Sequence, residues 1–220
     1  LAIKIQNSVG RILKMANRIS GAITWRPLGL VDIPRIENWF WNFADVALFD
    51  RTLPVPLSPD SLQNSWRKSL EHDTPPCAYW FIAEDTSGTP LGIAGLDSVN
   101  YIQGDAVLPF FVGRDHRKQG LATAMTISVL DLAFSQLRLH RVSTFYRDDN
   151  TATMRAVKKI GFAEEGRFRE GWFVNGERKD TVVAGILSAE WLATRHQVIE
   201  KVADSCKLSF APTCWKEGCG

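Results

Sequence analysis

Arg117, Gly120 and Ala122 spell Arg-x-x-Gly-x-Ala where the apolar run Val107 to Val112 gives way to the helical run Leu121 to Leu137. Small residues at positions 120 and 122 let a ligand approach the main chain closely. The first N–H groups of a helix lack intrahelical partners and carry the positive end of its dipole. Such a turn suits a pyrophosphate, held across Arg117, Lys118, Gln119, Gly120, Leu121, Ala122 and Thr123, with Arg117 and Lys118 adding fixed positive charge. The same residues also serve as ordinary punctuation between a strand and a helix. Neither Gly-x-Gly-x-x-Gly nor Gly-x-x-x-x-Gly-Lys-Ser/Thr occurs, which argues against a nicotinamide or P-loop nucleotide enzyme.

Downstream, Arg141 to Tyr146 reads as a strand, and Asn150 starts a helix that closes at Gly161-Phe162. Asn150 is a good N-cap in its own right, and Gly161 suits a left-handed helix end. The Thr153 hydroxyl stands three residues into that helix, where it can reach a ligand or bond the backbone.

The ordered series Arg117-x-x-Gly120-x-Ala122, Asn150-x-x-Thr153, Gly161-Phe162, Glu165 to Arg169, Asn175-Gly176, Asp180 and Glu190-Trp191 resembles the GNAT superfamily of acyl-CoA-dependent N-acyltransferases. Within it, the series is similar to the subgroup that includes ribosomal-protein N-terminal acetyltransferases (RimJ/RimL-like), over residues 22–192. The resemblance implies an α/β fold with a mixed, mostly antiparallel central sheet flanked by helices. It also implies acetyl-CoA as cosubstrate, an amine acceptor that is a protein N-terminus or a small molecule, and direct attack in a ternary complex; a homodimer is allowed. By the same resemblance the strand at Val107 to Val112 splays from that at Arg141 to Tyr146, freeing main-chain groups of Phe111 and Val112 for the cofactor arm, with Asn150 beside it. Many relatives carry a Glu where this chain has Val107, and a Tyr where it has Val157. Asp105, acting through water, and Thr153, donating to the departing sulfur, are the remaining catalytic candidates. A different reading is a CoA-binding regulatory or interaction protein that has lost its chemistry.

The elements that must position these groups follow from patterning. Ile23 to Leu28, Cys77 to Glu84 and Leu91 to Val99 read as strands, and residues 85–90 as the hairpin joining the last two. Asp32 is placed to cap a helix through Ile36 to Phe43, and Ser58-Pro59 opens another to about Leu70. Leu121 to Leu137 carries apolar residues around much of its circumference, as a buried helix does. The aromatic segment Trp39-Phe40-Trp41, Phe49-Asp50-Arg51, the turn from Asn100 to Asp105 and the final strand pair are the candidates for acceptor selection. Glu37, Asp45 and Asp50 read either as attractors of a protonated amine or as solvated surface charges.

At 220 residues the chain suits one well-buried domain. The net charge is +2, and residues 1–20 hold Lys4, Arg11, Lys14 and Arg18 with no acid, leaving the remainder at −2. That balance argues against a nucleic-acid partner, and the apolar runs are too short to span a bilayer. Cys77, Cys206, Cys214 and Cys219 lack Cys-x-x-Cys spacing, and the four histidines are scattered, so no metal site is expected. Unpaired thiols suit a reducing, cytoplasmic setting. Residues 1–21 read as a basic accessory extension, 22–192 as the acetyltransferase domain, and 193–220 as a peripheral tail.

Overall fold

The structure, a computed structural model, describes residues 23–203 apart from 53, 54, 72 and 73, and only the backbone of 201–203. The basic extension, residues 1–21, and the segment bearing Cys206, Cys214 and Cys219 lie outside the described residues. Among the described residues no helix is long and apolar enough to cross a membrane.

The strands are β1 (Thr24–Pro27), β2 (Tyr79–Glu84), β3 (Pro90–Asn100), β4 (Asp105–Val107), β5 (Phe110–Val112), β6 (Arg141–Arg147), β7 (Ala163–Val174) and β8 (Glu177–Leu187). They form an eight-stranded sheet in the order β1-β2-β3-β4-β6-β8-β7, with β5 set on β3. Only β4 and β6 run parallel. The sheet is thus mixed and mostly antiparallel, and helices cover it on both sides.

On one side lie α4 (Leu121–Asp131), α5 (Thr151–Ile160) and α6 (Ser188–Ala203), which share a core with Leu121, Met125, Val142, Ile160 and Trp191. On the other lie α1 (Ile33–Ile36), α2 (Phe43–Phe49) and α3 (Pro59–Leu70), around Ile36, Phe40, Trp66, Trp80 and Phe111. The helix α6 runs well past residue 192. Its Trp191 is fully buried with the indole N–H on Asp131 Oδ1 at 3.0 Å, Arg195 grips both Asp131 oxygens at 2.7 Å, and Val198 is buried.

Three sequence readings change. The single helix expected after Asp32 is a chain of short pieces, with 3-10 turns at Leu30–Asp32 and Glu37–Phe40 on either side of α1. Asp32 stands at the cap position of α1 but does not cap it; its carboxylate instead takes Arg26, Arg35 and the N–H of Gly29. Asn42 then accepts from the N–H groups of Ala44 and Asp45 and starts α2 afresh, a side chain competing with helix continuation. The helix from Leu121 is α-helical only to Asp131 and widens to a π turn at Leu132–Gln136. The strand expected from Val107 to Val112 is β4 and β5, broken at Leu108-Pro109.

Candidate active site

Proline is the reason that strand breaks. Leu108 still donates to the Ser143 carbonyl at 2.8 Å, and Thr144 Oγ1 donates to the Leu108 carbonyl at 3.1 Å. Pro109 has no N–H with which to continue the parallel ladder, and its carbonyl turns to the N–H of Gly95 at 3.1 Å. From there β5 follows β3, with Phe110 opposite Ala94 and Val112 opposite Gly92, while β6 goes on paired with β8 alone. The two strands therefore part, leaving a slot in the sheet.

Antiparallel alternation decides which groups face that slot. Pro109 O and Gly113 N both bond β3, at Gly95 and Leu91, so Phe111 exchanges its main-chain bonds with Ile93, and the main-chain groups of Phe110 and Val112 point into the slot. The expectation that Phe111 offers its backbone thus shifts one residue, to Phe110. The Phe111 side chain is buried among Trp39, Phe40 and Phe49. Val112 keeps its N–H for the slot, while its carbonyl accepts from Arg117 Nε at 3.1 Å.

Beyond β5, Gly120 sits at the N-cap of α4 with φ +82°, a left-handed conformation that suits glycine and puts no side chain over the helix end. No side chain caps α4, and its first turn closes with the Ala124 N–H donating to the Gly120 carbonyl at 3.1 Å, so Leu121, Ala122 and Thr123 present their N–H groups outward. This is an open cradle of the kind a pyrophosphate suits, and it fits the acetyl-CoA that the family resemblance implies. Arg117, however, is already engaged: its guanidinium stacks over Phe111 at 5.4 Å and donates to Asp45 Oδ1 at 2.8 Å.

Asp45 is therefore a buried anchor for arginines, and the expected attraction of an amine by this residue gives way to that role. Burial pushes its carboxyl up, but hydrogen bonds from Arg117 and Arg114, together with their charge, outweigh this and leave it below the usual carboxylate range. Of the other two acids, Asp50 reaches the cleft described next and Glu37 lies on the 3-10 turn before α2.

Where β5 and β6 part, the slot opens onto a cleft of about 400 Å³. One wall is the end of α2 and the segment after it, with Phe49, Asp50 and Arg51; the floor holds Asp97, Val107, Pro109 and Phe110. The far wall is β7 and β8, with Phe168, Trp172 and Thr181. Thr153 also lines it. Asn150 Oδ1 accepts from the Thr153 N–H at 3.1 Å, so the side chain that caps α5 also fixes the backbone of a threonine that lines the cleft. Tyr146, from β6, has its phenol pushed up by burial and stays protonated at neutral pH.

Thr153 and the Arg117 to Thr123 turn thus flank one slot, while Asp105, at the far end of β4 opposite Asn100 and Arg141, lies outside the cleft lining. Sequence reasoning missed Asp97, Trp172 and Thr181. Trp172 Nε1 and Thr181 Oγ1 are buried with no hydrogen-bond partner among the described residues. Gly171 makes room for that hydroxyl, since a Cβ there would stand 2.6 Å from it. The proline at 109 was the available sign of the parting strands.

Comparison with known proteins fits this geometry. The family model described as Acetyltransferase (GNAT) domain matches residues 23–163. The spermidine N(1)-acetyltransferase of Vibrio cholerae is 28% identical over 133 residues, covering 60% of this chain and 75% of that protein. The putative ribosomal N-acetyltransferase YdaF of Bacillus subtilis is 29% identical over 104 residues, 47% of this chain and 57% of that one. Among solved structures, the Vibrio cholerae spermidine N-acetyltransferase in complex with CoA and spermine superposes with a TM-score of 0.70 at 27% identity, covering 77% of this chain and 98% of its own. A parted sheet, an uncapped helix start behind it and a family match over most of the described fold together make this chain a member of the GNAT acetyltransferase family.

Proposed function

We propose that the protein transfers an acetyl group from acetyl-CoA to a primary amine by direct attack within a ternary complex. The observation that carries this reading is that the slot between β5 and β6 opens directly into the 400 Å³ cleft. A thioester arm entering by the slot and an amine entering by the cleft meet at one point, and such positioning is worth about 7–11 kcal/mol of barrier when the geometry is near attack. The thioester supplies the activated acetyl group. The outward N–H groups of Phe110 and Val112 are the donors available to the developing oxyanion, and the Thr153 hydroxyl serves the departing thiolate. The N–H groups of Leu121 to Thr123 take the pyrophosphate.

For the acceptor, a small polyamine-like amine comes first. Asp50 and Asp97, set against Arg51 as the single lining cation among the described residues, leave the cleft net negative, and relatives that act on spermidine support it. A peptide N-terminus, the chemistry of the ribosomal-protein subgroup, is favoured by a separate observation. Trp172 Nε1 can only donate, and a carbonyl beside the reacting amine would satisfy it, whereas an ammonium would not. Release of CoA thiol, measured with acetyl-CoA and a panel of polyamines and short peptides, tests the reading. Turnover of any member supports acetyl transfer and selects the acceptor; acetyl-CoA binding without thiol release from any of them would favour a regulatory protein instead.

A further inference from the structure

An amine acceptor is mostly protonated at neutral pH, and only its neutral form carries the lone pair that attacks. Some group in the cleft must therefore take a proton. We propose that this catalytic residue is Asp97, an inference that rests on the acetyl-transfer reading above.

Asp97 lies at the floor of the cleft, directly across from Val107, the last β4 residue before the strands part. Strand alternation alone did not mark it, because β3 is irregular at this point. The register shifts between Asp97 and Asn100, and Ser98 takes a left-handed φ of +52°, which a non-glycine residue adopts only at a cost. Bulges of this kind re-aim a side chain. The carboxylate is half-buried, and its Oδ1 accepts from the Ser98 N–H at 2.6 Å and from the Ser98 hydroxyl at 3.4 Å. Oδ2 has no hydrogen-bond partner among the described residues. One oxygen is thus fixed and the other is left for a ligand.

The ionisable groups that share the cleft are Asp50, Arg51 and Tyr146. Asp50 Oδ1 accepts from the Thr52 N–H at 2.7 Å, and Arg51 Nη1 reaches the Gly171 carbonyl at 3.4 Å. Tyr146 is held protonated by burial and is no base. Asp105 lies two residues before Val107 on β4 and outside the cleft lining. Asp97 is the cleft carboxylate that stands on the sheet itself, beside the point where the slot opens.

In the step, the ammonium yields one proton to Oδ2, directly or through one water. The nitrogen lone pair forms the new N–C bond while the carbonyl π electrons move to oxygen. On collapse the C–S bond breaks, and the thiolate takes the second proton from nitrogen, relayed by the Thr153 hydroxyl. The products are the amide and CoA thiol, and Asp97 returns its proton to solvent.

Asp97→Asn retains an Oδ1 for the Ser98 N–H, so the bulge should survive. The test is kcat/KM against pH for this variant and the wild-type chain, with acetyl-CoA saturating and spermidine and a short peptide as acceptors. The expected result is a loss of roughly 10²–10⁴-fold near neutral pH, the usual scale of general-base catalysis. Tm and the calorimetric Kd for acetyl-CoA should not change, and the deficit should shrink as pH rises past the pKa of the amine, where solution supplies the neutral form. A variant equal to wild type, or a deficit constant at every pH, would overturn the assignment. If Asp97→Asn does not fold, Asp97→Glu keeps the charge and moves it by one methylene; it should lower kcat with acetyl-CoA affinity intact, and wild-type kcat there also overturns it. A wild-type chain that binds acetyl-CoA but acetylates no amine would instead sink the acetyl-transfer reading, and this inference with it.

Discussion

Asp45 Oδ1 accepts from Arg117 Nη1 at 2.8 Å, and its Oδ2 accepts from Arg114 at 2.8 and 3.1 Å. One buried carboxylate on α2, the helix whose end walls the cleft, therefore holds both arginines of the turn that leads into α4. In the proposed reaction the cofactor phosphates and Asp45 compete for the same guanidinium.

Asp45→Asn should free Arg117 for phosphate and tighten acetyl-CoA binding several-fold. It should also lower stability by about 1–2 kcal/mol, the scale of lost hydrogen bonds to a charged group, because the arginines left behind remain partly solvated. Calorimetry and urea unfolding check both effects. Weaker cofactor binding in the variant would mean that Asp45 pre-orients Arg117 rather than competing for it.

Asp32 sets an acid limit on the fold. Hydrogen bonds from Arg26 lead the causes that hold its carboxyl at about 2, against the opposing effect of burial. A depressed folded-state pKa stabilises above the unfolded value of about 3.9 and is lost as pH falls through the folded one. Asp32→Asn should therefore remove about 2 kcal/mol of stability that wild type has at pH 6 but loses between about pH 4 and pH 2. Urea midpoints across that range should converge at the acid end; parallel curves would refute the linkage.

Gly120→Glu puts bulk and negative charge at the open end of α4 and forces a side chain into a left-handed position, at about 1–2 kcal/mol. Acetyl-CoA affinity should fall by tenfold or more while the fold persists. A folded variant with unchanged calorimetric Kd would remove the cradle from the binding site.

Thr153→Val keeps the shape and, with Asn150 still capping the main chain, the helix start. If the hydroxyl serves only the departing thiolate, kcat should fall with the acetyl-CoA Kd unchanged. Wild-type kcat, with chemistry shown to be rate-limiting, would exclude an essential role.

The motifs of the slot were legible because each is local. Arg117-x-x-Gly120-x-Ala122 and Asn150-x-x-Thr153 mark helix starts, and Gly161, with φ +112°, closes α5 as read. Individual strands were legible from their apolar runs, buried almost continuously in β3, whereas the arrangement of the sheet came with the family resemblance. What escaped depends on non-local register: Asp97 is aimed by a bulge opposite β4, and Trp172 and Thr181 are brought to the cleft by irregular β7/β8 pairing. Asp45 looked like a surface charge because its partners lie about 70 residues downstream. Trp39-Phe40-Trp41 divides: Phe40 is buried core while Trp41 is exposed, and the cleft takes its aromatics from elsewhere, Phe49, Phe110, Phe168 and Trp172 among them.

Along the sheet, β1, β2, β3 and β5 connect to β6, β7 and β8 through β4 alone, by three register positions from Asp105–Arg141 to Val107–Ser143. In mechanical terms the sheet is two plates joined by a short flexure at one end of the slot. A molecule hydrogen-bonded across β5 and β6 would act as a splint, stiffening the joint that its own entry spreads, so occupancy should register as slowed amide exchange in β6 as well as in the turn proposed to hold the phosphates.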